Sequence, residues 1–465
     1  MSYLGIDIGT SSVKAVLMDD KQNTIVQSSA PLFLSRPKPL YSEQNPEDWW
    51  QAVNSVIAEI KQNKLWSELK AIGLTGQQHG AVCVNSNYNV LRPAILWNDG
   101  RSYQEAEYLN IHYPEFLKIT GNLMVAGFTA PKLLWLKTNE PNVFKQIFKV
   151  LLPKDYIRFR LSGDFASDFS DASGTGWLDV RQRAWSEQLI NLCALDVENM
   201  ATLYEGSEIT GYLQDDLKRE WGLNHDVAIV GGGGDNAAGA ISTAVINDHD
   251  AMLSLGTSGV YFTASDSYNA SAIGSYHSFC HCLPNKWHQM GVILSAASAL
   301  GWWAHVCGKA EADLIKNAQA KLNRKNTPIF LPYLSGERTP HNDSLAKSIF
   351  WGLNHDVGEA DMTNAVLEGV AFALADCQSV LPEVQSIKSI SVIGGGAKSN
   401  YWGTILANVL NKPIKFHDES KIGPSFGAAI LAYIAVNKFN PNEKIEAPKI
   451  TNTIQPQTDL VDLYQ

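Results

Sequence analysis

The chain has 465 residues, which is too long for a single hydrophobic core and predicts two large domains. It is 45% hydrophobic and 18% charged, as in ordinary globular proteins, and its formal net charge is −10 without basic clusters. This balance argues against nucleic acid or an anionic membrane as a partner. An anionic ligand must therefore be held locally, by backbone amides or by a metal ion.

The sequence favours a cytoplasmic protein. No apolar run is long enough to span a bilayer, and the best candidate, residues 292–306, is interrupted by serines and a histidine and predicts a buried helix. The first predicted strand begins at Tyr3, which leaves no room for a signal peptide. Six scattered cysteines are too sparse for a disulfide framework and fit a reducing compartment.

The N-terminal third alternates predicted strands and helices. Tyr3–Ile8 and Val13–Met18 predict a hairpin closed by a glycine turn. Residues 45–62 predict an amphipathic helix capped by Asn45, because apolar residues recur at helical spacing after a Pro-Glu-Asp start. Residues 71–84 predict strand, loop and strand, and residues 186–196 predict a helix.

The pattern changes little further along the chain. Residues 227–243 predict a buried strand, four glycines and a helix that begins near Asp235, and residues 389–410 repeat that design. Residues 367–381 predict a long helix with an apolar face. No linker separates the halves, so we place the boundary near residue 245, with domains 1–245 and 246–465 closely apposed.

One hairpin occurs twice. The stretch LGIDIGTSSVKAVLMD (4–19) returns as MLSLGTSGVYFTASD (252–266) with the Gly-Thr-Ser triplets aligned, but Asp7 is replaced by Ser254. Such turns present backbone amides and hydroxyls that suit phosphate oxygens. Two of them, facing each other across a cleft, could hold successive phosphates of a nucleotide, and only one needs a carboxylate for a metal ion.

The first hairpin carries the clearest chemistry. Asp7 would hold Mg²⁺, directly or through water, with Thr10 and Ser11 beside the transferred phosphate. The alternative is an ordinary polar turn, and the repeat favours the functional interpretation.

The glycine run 231–234, followed by Asp235, is a second candidate site. Four glycines let the backbone approach a ligand, and a helix N-terminus favours anions. Asp235 could accept a proton from an attacking hydroxyl, or it could simply cap the helix. Residues 394–397 repeat the glycine turn, and for them a nucleotide-binding role and a plain tight turn are equally supported.

Two loops have the polar and aromatic composition of a sugar site. They are Gly76–Gly80, which contains Gln78 and His79, and Trp97–Arg101. A polar loop with His79 as a satisfied core histidine is at least as well supported by the pattern alone. A third loop, residues 336–343, predicts internal ion pairs among Glu337, Arg338 and Asp343.

The cluster from His277 to Cys282 resembles a set of metal ligands. However, strand alternation would place Cys280 and Cys282 on one face and His281 on the other, and no second C-x-x-C pair exists. A buried strand with small sulfur side chains is the favoured interpretation, and a zinc site is the alternative.

These stretches together resemble the FGGY carbohydrate kinases, members of the sugar kinase/Hsp70/actin superfamily, from residue 3 to about residue 435. The stretches that carry the resemblance are SEQNPEDWW, GQQHG, LRPAILWNDGR, GNLMVAGFTAPKLLW, LLPKDYIRFRLSGDFASDFSDASGT, GGGGDNAAGA, LSLGTSGVYF, FLPYLSGERTPHND, IGGGAKSNYW and the segment ending LEGVAFAL. The resemblance implies an α/β fold with two ribonuclease H-like domains flanking a catalytic cleft.

The resemblance also implies a reaction, the ATP-dependent phosphorylation of D-xylulose to D-xylulose 5-phosphate with Mg²⁺. Asp235 matches the catalytic base, and Asp7 and Asp235 are the expected catalytic and metal-binding carboxylates. The expected sugar-binding residues are Gln78, His79, Trp97, Asn98, Asp235 and Asn236. The expected ATP-binding residues are Thr10, Ser11, Gly256, Thr257, Gly395, Gly396, Ala397 and Asn400.

Two departures leave alternatives open. The corresponding loop commonly reads G-Q-M-H-G, so Gln78 replaces a methionine and could widen the substrate range towards L-ribulose, L-xylulose or a pentitol. The tail from Pro441 onward is short, which puts the last helix in doubt. A non-catalytic sugar sensor or an ATP-dependent chaperone on the same fold is less favoured, and a homodimer is possible.

Overall fold

The computed structural model describes residues 1–321 and 327–465. The strands are β1 (Ser2–Ile8), β2 (Ser12–Asp19), β3 (Thr24–Pro31), β4 (Glu43–Gln44), β5 (Leu69–Gly76), β6 (Val82–Val84), β7 (Ala94–Ile95), β8 (Lys149–Leu151), β9 (Ala166–Asp168), β10 (Leu178–Asp179), β11 (Ala184–Trp185), β12 (Thr202–Tyr204), β13 (Ile209–Tyr212), β14 (Ala228–Gly234), β15 (Ala251–Leu255), β16 (Gly259–Ser265), β17 (His277–Cys280), β18 (Trp287–Ile293), β19 (Ile329–Leu331), β20 (Ile349–Trp351), β21 (Ile390–Ile393), β22 (Ile414–His417) and β23 (Ile450–Ile454). The helices are α1 (Pro46–Ile60), α2 (Tyr103–His112), α3 (Glu115–Thr120), α4 (Thr129–Asn139), α5 (Pro141–Phe144), α6 (Pro153–Ser162), α7 (Phe169–Ala172), α8 (Glu187–Leu192), α9 (Asp215–Trp221), α10 (Asp235–Ser242), α11 (Ala297–Cys307), α12 (Glu311–Ala320), α13 (Glu359–Val380), α14 (Asn400–Leu410), α15 (Pro424–Asn437), α16 (Pro441–Lys444) and α17 (Thr458–Tyr464).

Two large sheets repeat the same topology. The first has the order β13-β14-β5-β1-β2-β3, with β14, β5 and β1 parallel and the other neighbours antiparallel. The second has the order β23-β22-β21-β15-β16-β18, with the same alternation of directions and β17 added at the edge. The sequence repeat is therefore a repeat of structure, and the boundary near residue 245 stays a prediction that is compatible with both sheets.

The two repeated hairpins differ by one residue in register. The last pair of the first hairpin is Ile8 with Val13, which leaves residues 9–12 in the turn. In the second hairpin Leu255 pairs with Gly259, which leaves only residues 256–258. A Cβ at Gly259 would lie 2.7 Å from Ile293 Cγ1 of β18, so glycine is required where the first hairpin has serine.

Helices α10 and α15 lie between the two sheets and join them. A Cβ added at Gly5 of β1 would lie 1.8 Å from the Ser425 carbonyl oxygen, and one at Gly73 of β5 would lie 1.9 Å from that of Ala428. A Cβ at Gly427 would lie 1.8 Å from the Ala238 carbonyl oxygen of α10. These glycines let α15, which follows β22, pack directly on the first sheet.

Most predicted elements are confirmed. The Asn45 side chain caps α1 by accepting a hydrogen bond from the Glu47 amide at 3.2 Å. The interpretation of residues 292–306 as a buried helix is wrong, because β18 includes Val292 and Ile293 and α11 is buried on one face only, with Val306 exposed. The pattern failed there because an apolar strand end and an apolar helix start are continuous in sequence.

Within the described residues, no helix is long and apolar enough to cross a membrane.

The C-terminal tail forms α16, β23 and α17, and β23 pairs antiparallel with β22. The doubt about the last helix is therefore resolved by a short terminal helix, α17.

Candidate active site

Asp235 is the first residue of α10 and lies at the carboxyl end of β14. The four glycines that were predicted as a turn continue the strand instead, with an irregularity between Val230 and Gly233. The N-cap of α10 is Gly234, so Asp235 is not the capping residue. Its Oδ1 atom accepts hydrogen bonds from the Asn236 amide at 2.7 Å and the Asn236 side chain at 2.9 Å, which leaves Oδ2 without a protein donor among the described residues.

The electrostatic environment of Asp235 suits a base. Burial, and then the negative charge of Asp7, raise the pKa of Asp235 from 3.8 to about 7. The residue as a whole is nevertheless partly exposed. A carboxylate with this pKa can take a proton from a hydroxyl near neutral pH.

Asp7 lies near the carboxyl end of β1, two strands from Asp235. Both Asp7 and Gly233 pair with Thr75 of the intervening strand β5, so the two carboxylates occupy the same edge of the sheet. The Asp7 side chain is 8% exposed and has no hydrogen-bond donor within the described ranges. Burial raises the pKa of Asp7 to about 6, and Lys14 opposes that shift.

The two carboxylates fit a Mg²⁺ ion. Mg²⁺ in kinase sites is held by one or two carboxylates together with water and substrate phosphates, which is the donor set that Asp7 and Asp235 leave open. Burial raises the pKa of both carboxyl groups, and a cation bound between them would favour their ionised forms.

Thr10 is fixed by side chains of the first half. Its hydroxyl donates to Gln77 Oε1 at 3.0 Å and accepts from the indole nitrogen of Trp97 at 2.9 Å, and its carbonyl accepts from Gln44 at 2.7 Å. The hydroxyl hydrogen is therefore already used within the protein, and a phosphate at this turn would meet backbone amides. Ser11 at the tip and Asn98 after Trp97 are exposed.

His79 is a buried, neutral histidine with one nitrogen available as a hydrogen-bond acceptor. Its Nδ1 atom lies 2.7 Å from the Gly174 carbonyl oxygen, so Nδ1 carries the hydrogen and Nε2 carries a lone pair. Burial, and then the charges of Arg338 and Lys132, hold the pKa of His79 well below its ordinary value. The interpretation as a core histidine accounts for Nδ1 but leaves Nε2 without a partner in the described chain.

Gln78 contacts the loop of the candidate base. Its Nε2 atom donates to the Ser170 carbonyl oxygen at 3.3 Å, and a Cβ added at Gly234 would lie 2.6 Å from the same nitrogen. The amide orientation fixed by Ser170 leaves Oε1 as an acceptor. The side chain of Gln78, and not only its backbone, therefore lies beside Asp235.

The second hairpin (252–266) and the glycine turn at residues 394–397 lie next to each other in the C-terminal half. A Cβ at Gly396 would lie 2.8 Å from Leu255 Cβ, directly before Gly256, whereas a Cβ at Gly395 would meet open space. Thr257 is exposed. Asn400 begins α14 and accepts a hydrogen bond from Asn452 at 3.2 Å. The side chain of Ala397 lies outside the described part of the structure.

The predicted ion pairs among Glu337, Arg338 and Asp343 are wrong. Glu337 Oε1 accepts hydrogen bonds from the amides of Leu294 and Arg338, and Asp343 accepts from the amides that follow it.

The cluster from His277 to Cys282 is divided by the end of a strand, because β17 ends at Cys280 and Cys282 lies beyond it. In the described chain no three His, Cys, Asp or Glu side chains form a group that could hold a metal ion.

Comparison with protein families identifies the family to which this chain belongs. The FGGY family of carbohydrate kinases matches twice, with its N-terminal domain over residues 2–242 and its C-terminal domain over residues 251–436. The chain belongs to the FGGY family of carbohydrate kinases. It is a sugar kinase, and the expected fold is confirmed.

Three relatives show how broad the FGGY likeness is. The xylulose kinase of Escherichia coli (strain K12) is 48% identical over 438 residues, which cover 94% of this chain and 90% of the relative. The crystal structure of a xyloylose kinase from Brucella ovis is 45% identical with a TM-score of 0.94, covering 100% of this chain and 96% of that one. A gluconate kinase from Lactobacillus acidophilus is 26% identical with a TM-score of 0.90, covering 99% and 94%.

The sequence interpretation missed a buried charge cluster behind the FGGY cleft. Lys154 Nζ lies 2.6 Å from Asp155 Oδ1, 2.8 Å from Asp168 Oδ1 and 3.3 Å from Asp171 Oδ2, and these side chains are essentially inaccessible. The only signal in the sequence was the presence of several charged residues among the apolar residues of the segment 154–171. Only the three-dimensional structure shows that α6 and α7 face each other there.

Proposed function

We propose that this FGGY kinase transfers the γ-phosphate of ATP to the terminal hydroxyl of D-xylulose and releases D-xylulose 5-phosphate and ADP. Two named xylulose kinases at 45% and 48% identity over nearly the whole chain support the sugar. The single observation that carries the chemistry is Asp235, a carboxylate with a free Oδ2 atom and a pKa raised to about 7 by burial and Asp7.

The sugar would lie between Asp235 and His79. Asp235 Oδ2, His79 Nε2 and Gln78 Oε1 are acceptors, and a polyhydroxylated substrate offers matching hydroxyl donors. The indole nitrogen of Trp97 is bound to Thr10, which fixes the ring. The side chain is half-buried, so part of the ring face could pack against the sugar. Bound in this way, one hydroxyl of the sugar would point towards the base and others towards His79 and Gln78.

Proton and phosphoryl transfer balance without a covalent enzyme intermediate. The Asp235 carboxylate takes the proton of the terminal hydroxyl, and the hydroxyl oxygen forms a bond to the γ-phosphorus. The bond between that phosphorus and the β–γ bridging oxygen breaks, and ADP leaves with the electron pair. Asp7 and Asp235 would hold a Mg²⁺ ion, which when bound would neutralise phosphate charge.

The nucleotide would be held from both halves. The turn at Gly9 and the turn at Gly256 each close with a backbone hydrogen bond, at 3.1 and 3.0 Å, which leaves the intervening amides for phosphate oxygens. Gly395, where a side chain would meet open space, offers a surface for the adenosine. A cytoplasmic location and a homodimer stay predictions.

A substrate panel tests this proposal. ADP release from Mg-ATP would be measured with D-xylulose, L-ribulose, L-xylulose, D-arabinitol, xylitol and gluconate. We expect the highest kcat/KM with D-xylulose. A higher kcat/KM with another sugar would leave the kinase assignment intact and make Gln78 the first residue to exchange, as Gln78→Met. No ADP release with any sugar would favour a non-catalytic sensor.

A further inference from the structure

The strand that leads to Asp235 needs support from outside itself. Residues 231–234 are all glycine, so this end of β14 has no side chains that could lock it in place. Its pairing with β5 is interrupted between Val230 and Gly233, and Gly232 has a φ of 70°. A general base at the end of such a segment is only as well positioned as the groups that hold the segment.

Ser170 holds the last peptide of the strand. Its hydroxyl accepts a hydrogen bond from the Gly234 amide at 3.0 Å, and a Cβ at Gly233 would lie 3.2 Å from the same oxygen. The hydroxyl hydrogen is donated to Asp168 Oδ2, which also accepts from the Ser170 amide at 2.8 Å. Ser170 therefore connects a fixed carboxylate to the amide of Gly234, the residue directly before Asp235.

Arg158 holds the beginning of the same segment. Its two terminal nitrogens donate to the carbonyl oxygens of Val230 and Gly231, both at 2.6 Å, and one also donates to Thr210 at 2.9 Å. The guanidinium group is fully buried. The irregular glycine segment is thus held at both ends by side chains from α6 and α7.

Both supports belong to the buried charge cluster around Lys154. Asp168, which fixes Ser170, lies 2.8 Å from Lys154 Nζ, and Asp155 lies between Lys154 at 2.6 Å and Arg158 at 3.7 Å. Buried ion pairs contribute little net stability compared with apolar packing, so stability alone does not account for this cluster. Holding a backbone segment in one geometry is such a role.

We propose that Ser170 is a positioning residue for phosphoryl transfer, which acts by fixing the Gly234 amide and so the carboxylate of Asp235. This inference rests on the proposed role of Asp235 as the base. Ser170 is fully buried and its hydroxyl hydrogen is donated to Asp168, so its side chain is not expected to contact the sugar. Its removal should therefore affect the chemical step more than substrate binding.

The first variant is Ser170→Ala. We expect kcat to fall by roughly 10- to 100-fold, since a misplacement of about 1 Å costs on the order of 10². The KM values for D-xylulose and ATP should change less than about threefold. The matched control is Ser242→Ala at the other end of α10, because Ser242 is also buried and accepts from a glycine amide, that of Gly423, at 2.9 Å. Its kcat should stay within about twofold of the wild type.

A double-mutant cycle separates this inference from the proposed function. If Ser170 acts through Asp235, Ser170→Ala should lower kcat in the wild type but hardly at all in an Asp235→Asn background. If Asp235→Asn alone keeps near-normal turnover, the base assignment fails, whatever Ser170 does. If Asp235→Asn is inactive and Ser170→Ala is unchanged in kcat, only the positioning role fails.

A general structural effect would look different. Equal losses of kcat in Ser170→Ala and Ser242→Ala, or parallel changes in kcat and KM, would overturn the proposal. Should Ser170→Ala not fold, as judged by thermal unfolding, Ser170→Cys keeps the shape with a weaker acceptor. An unchanged kcat in folded Ser170→Cys would also overturn it, whereas a selective loss of kcat would support it.

Discussion

The two halves of this FGGY kinase share a strand order but not their acids. Asp7, near the end of β1, corresponds to Ser254 in β15, and Asp235, at the start of α10, corresponds topologically to Pro424 at the start of α15. Each helix is preceded by a glycine, Gly234 or Gly423. The same scaffold therefore places two carboxylates at the cleft from one side and none at the matching positions of the other.

The hairpins differ in how they are held. Thr10 is fixed by the side chains of Gln77 and Trp97, whereas the carbonyl oxygens of Gly256 and Thr257 accept from the amides that begin α11 and from Ser298. In the first turn, the Thr10 hydroxyl is occupied by hydrogen bonds to other side chains of the protein. Backbone anchoring leaves the Thr257 hydroxyl exposed for a ligand. Under the proposed function, proton transfer would fall to the first half and phosphate binding to both.

The largest expected effect comes from Asp235→Asn. We expect kcat with D-xylulose to fall by about 10²- to 10⁴-fold, because the amide cannot accept the proton. Steady-state ADP release measures this loss. Asp216→Asn, which changes an exposed carboxylate on α9, is the control and should be silent. A fall of less than tenfold in Asp235→Asn would remove the asymmetry between the halves.

The next effect compares Asp7→Asn with Ser254→Ala. Removing the Asp7 carboxylate should lower kcat by on the order of 10²-fold, because phosphate charge is then less well neutralised. Ser254→Ala, at the corresponding position, should change kcat less than about twofold. Mg²⁺ titration of activity should show a weaker apparent affinity only in Asp7→Asn. Equal effects in both variants would contradict the assignment.

Thr10 and Thr257 should respond differently to valine. Thr10→Val leaves Gln77 and Trp97 without their partner, so it should lower the free energy of unfolding by about 1–3 kcal/mol. Thr257→Val should leave stability unchanged and raise the KM for ATP by about two- to tenfold. Denaturant unfolding and ATP titration measure the two quantities. A stability loss in Thr257→Val would show that its hydroxyl is structural.

The smallest effect concerns stability and pH. The pKa of Asp235 is raised to about 7 by burial and Asp7, so the folded state loses stability as the pH rises from about 4 through about 7. Asp235→Asn carries no such charge. It should melt about 1–3 °C above the wild type near pH 8 and show no advantage near pH 4. Calorimetry that found a lower melting temperature near pH 8 would show that the ionised carboxylate stabilises the fold.

The sequence predicted much of this architecture because the signals were local and periodic. The repeated hairpin, the Asn45 cap of α1 and the strand–glycine–helix units each depend on contiguous residues, and the structure has them. The likeness between residues 227–243 and 389–410 did not reveal sheet position. β14 is two strands from its hairpin, whereas β21 is adjacent to its own.

The remaining site features depend on contacts between distant segments. The use of the Thr10 hydroxyl by Gln77 and Trp97, and the support of Gly234 by Ser170, join residues more than 60 positions apart. The ion-pair prediction for the loop at Glu337 failed because Oε1 of its carboxylate bonds to backbone amides instead of to a charged side chain. Charge pattern alone cannot choose between a side-chain and a backbone partner.

The most direct test of the central claim is the pH dependence of kcat/KM for D-xylulose. With Asp235 as the base and its pKa near 7, the wild type should lose activity about tenfold per pH unit below that value, because the carboxyl group becomes protonated. The residual activity of Asp235→Asn should lack this acid limb. An acid limb that persists unchanged in Asp235→Asn would show that another group is the base.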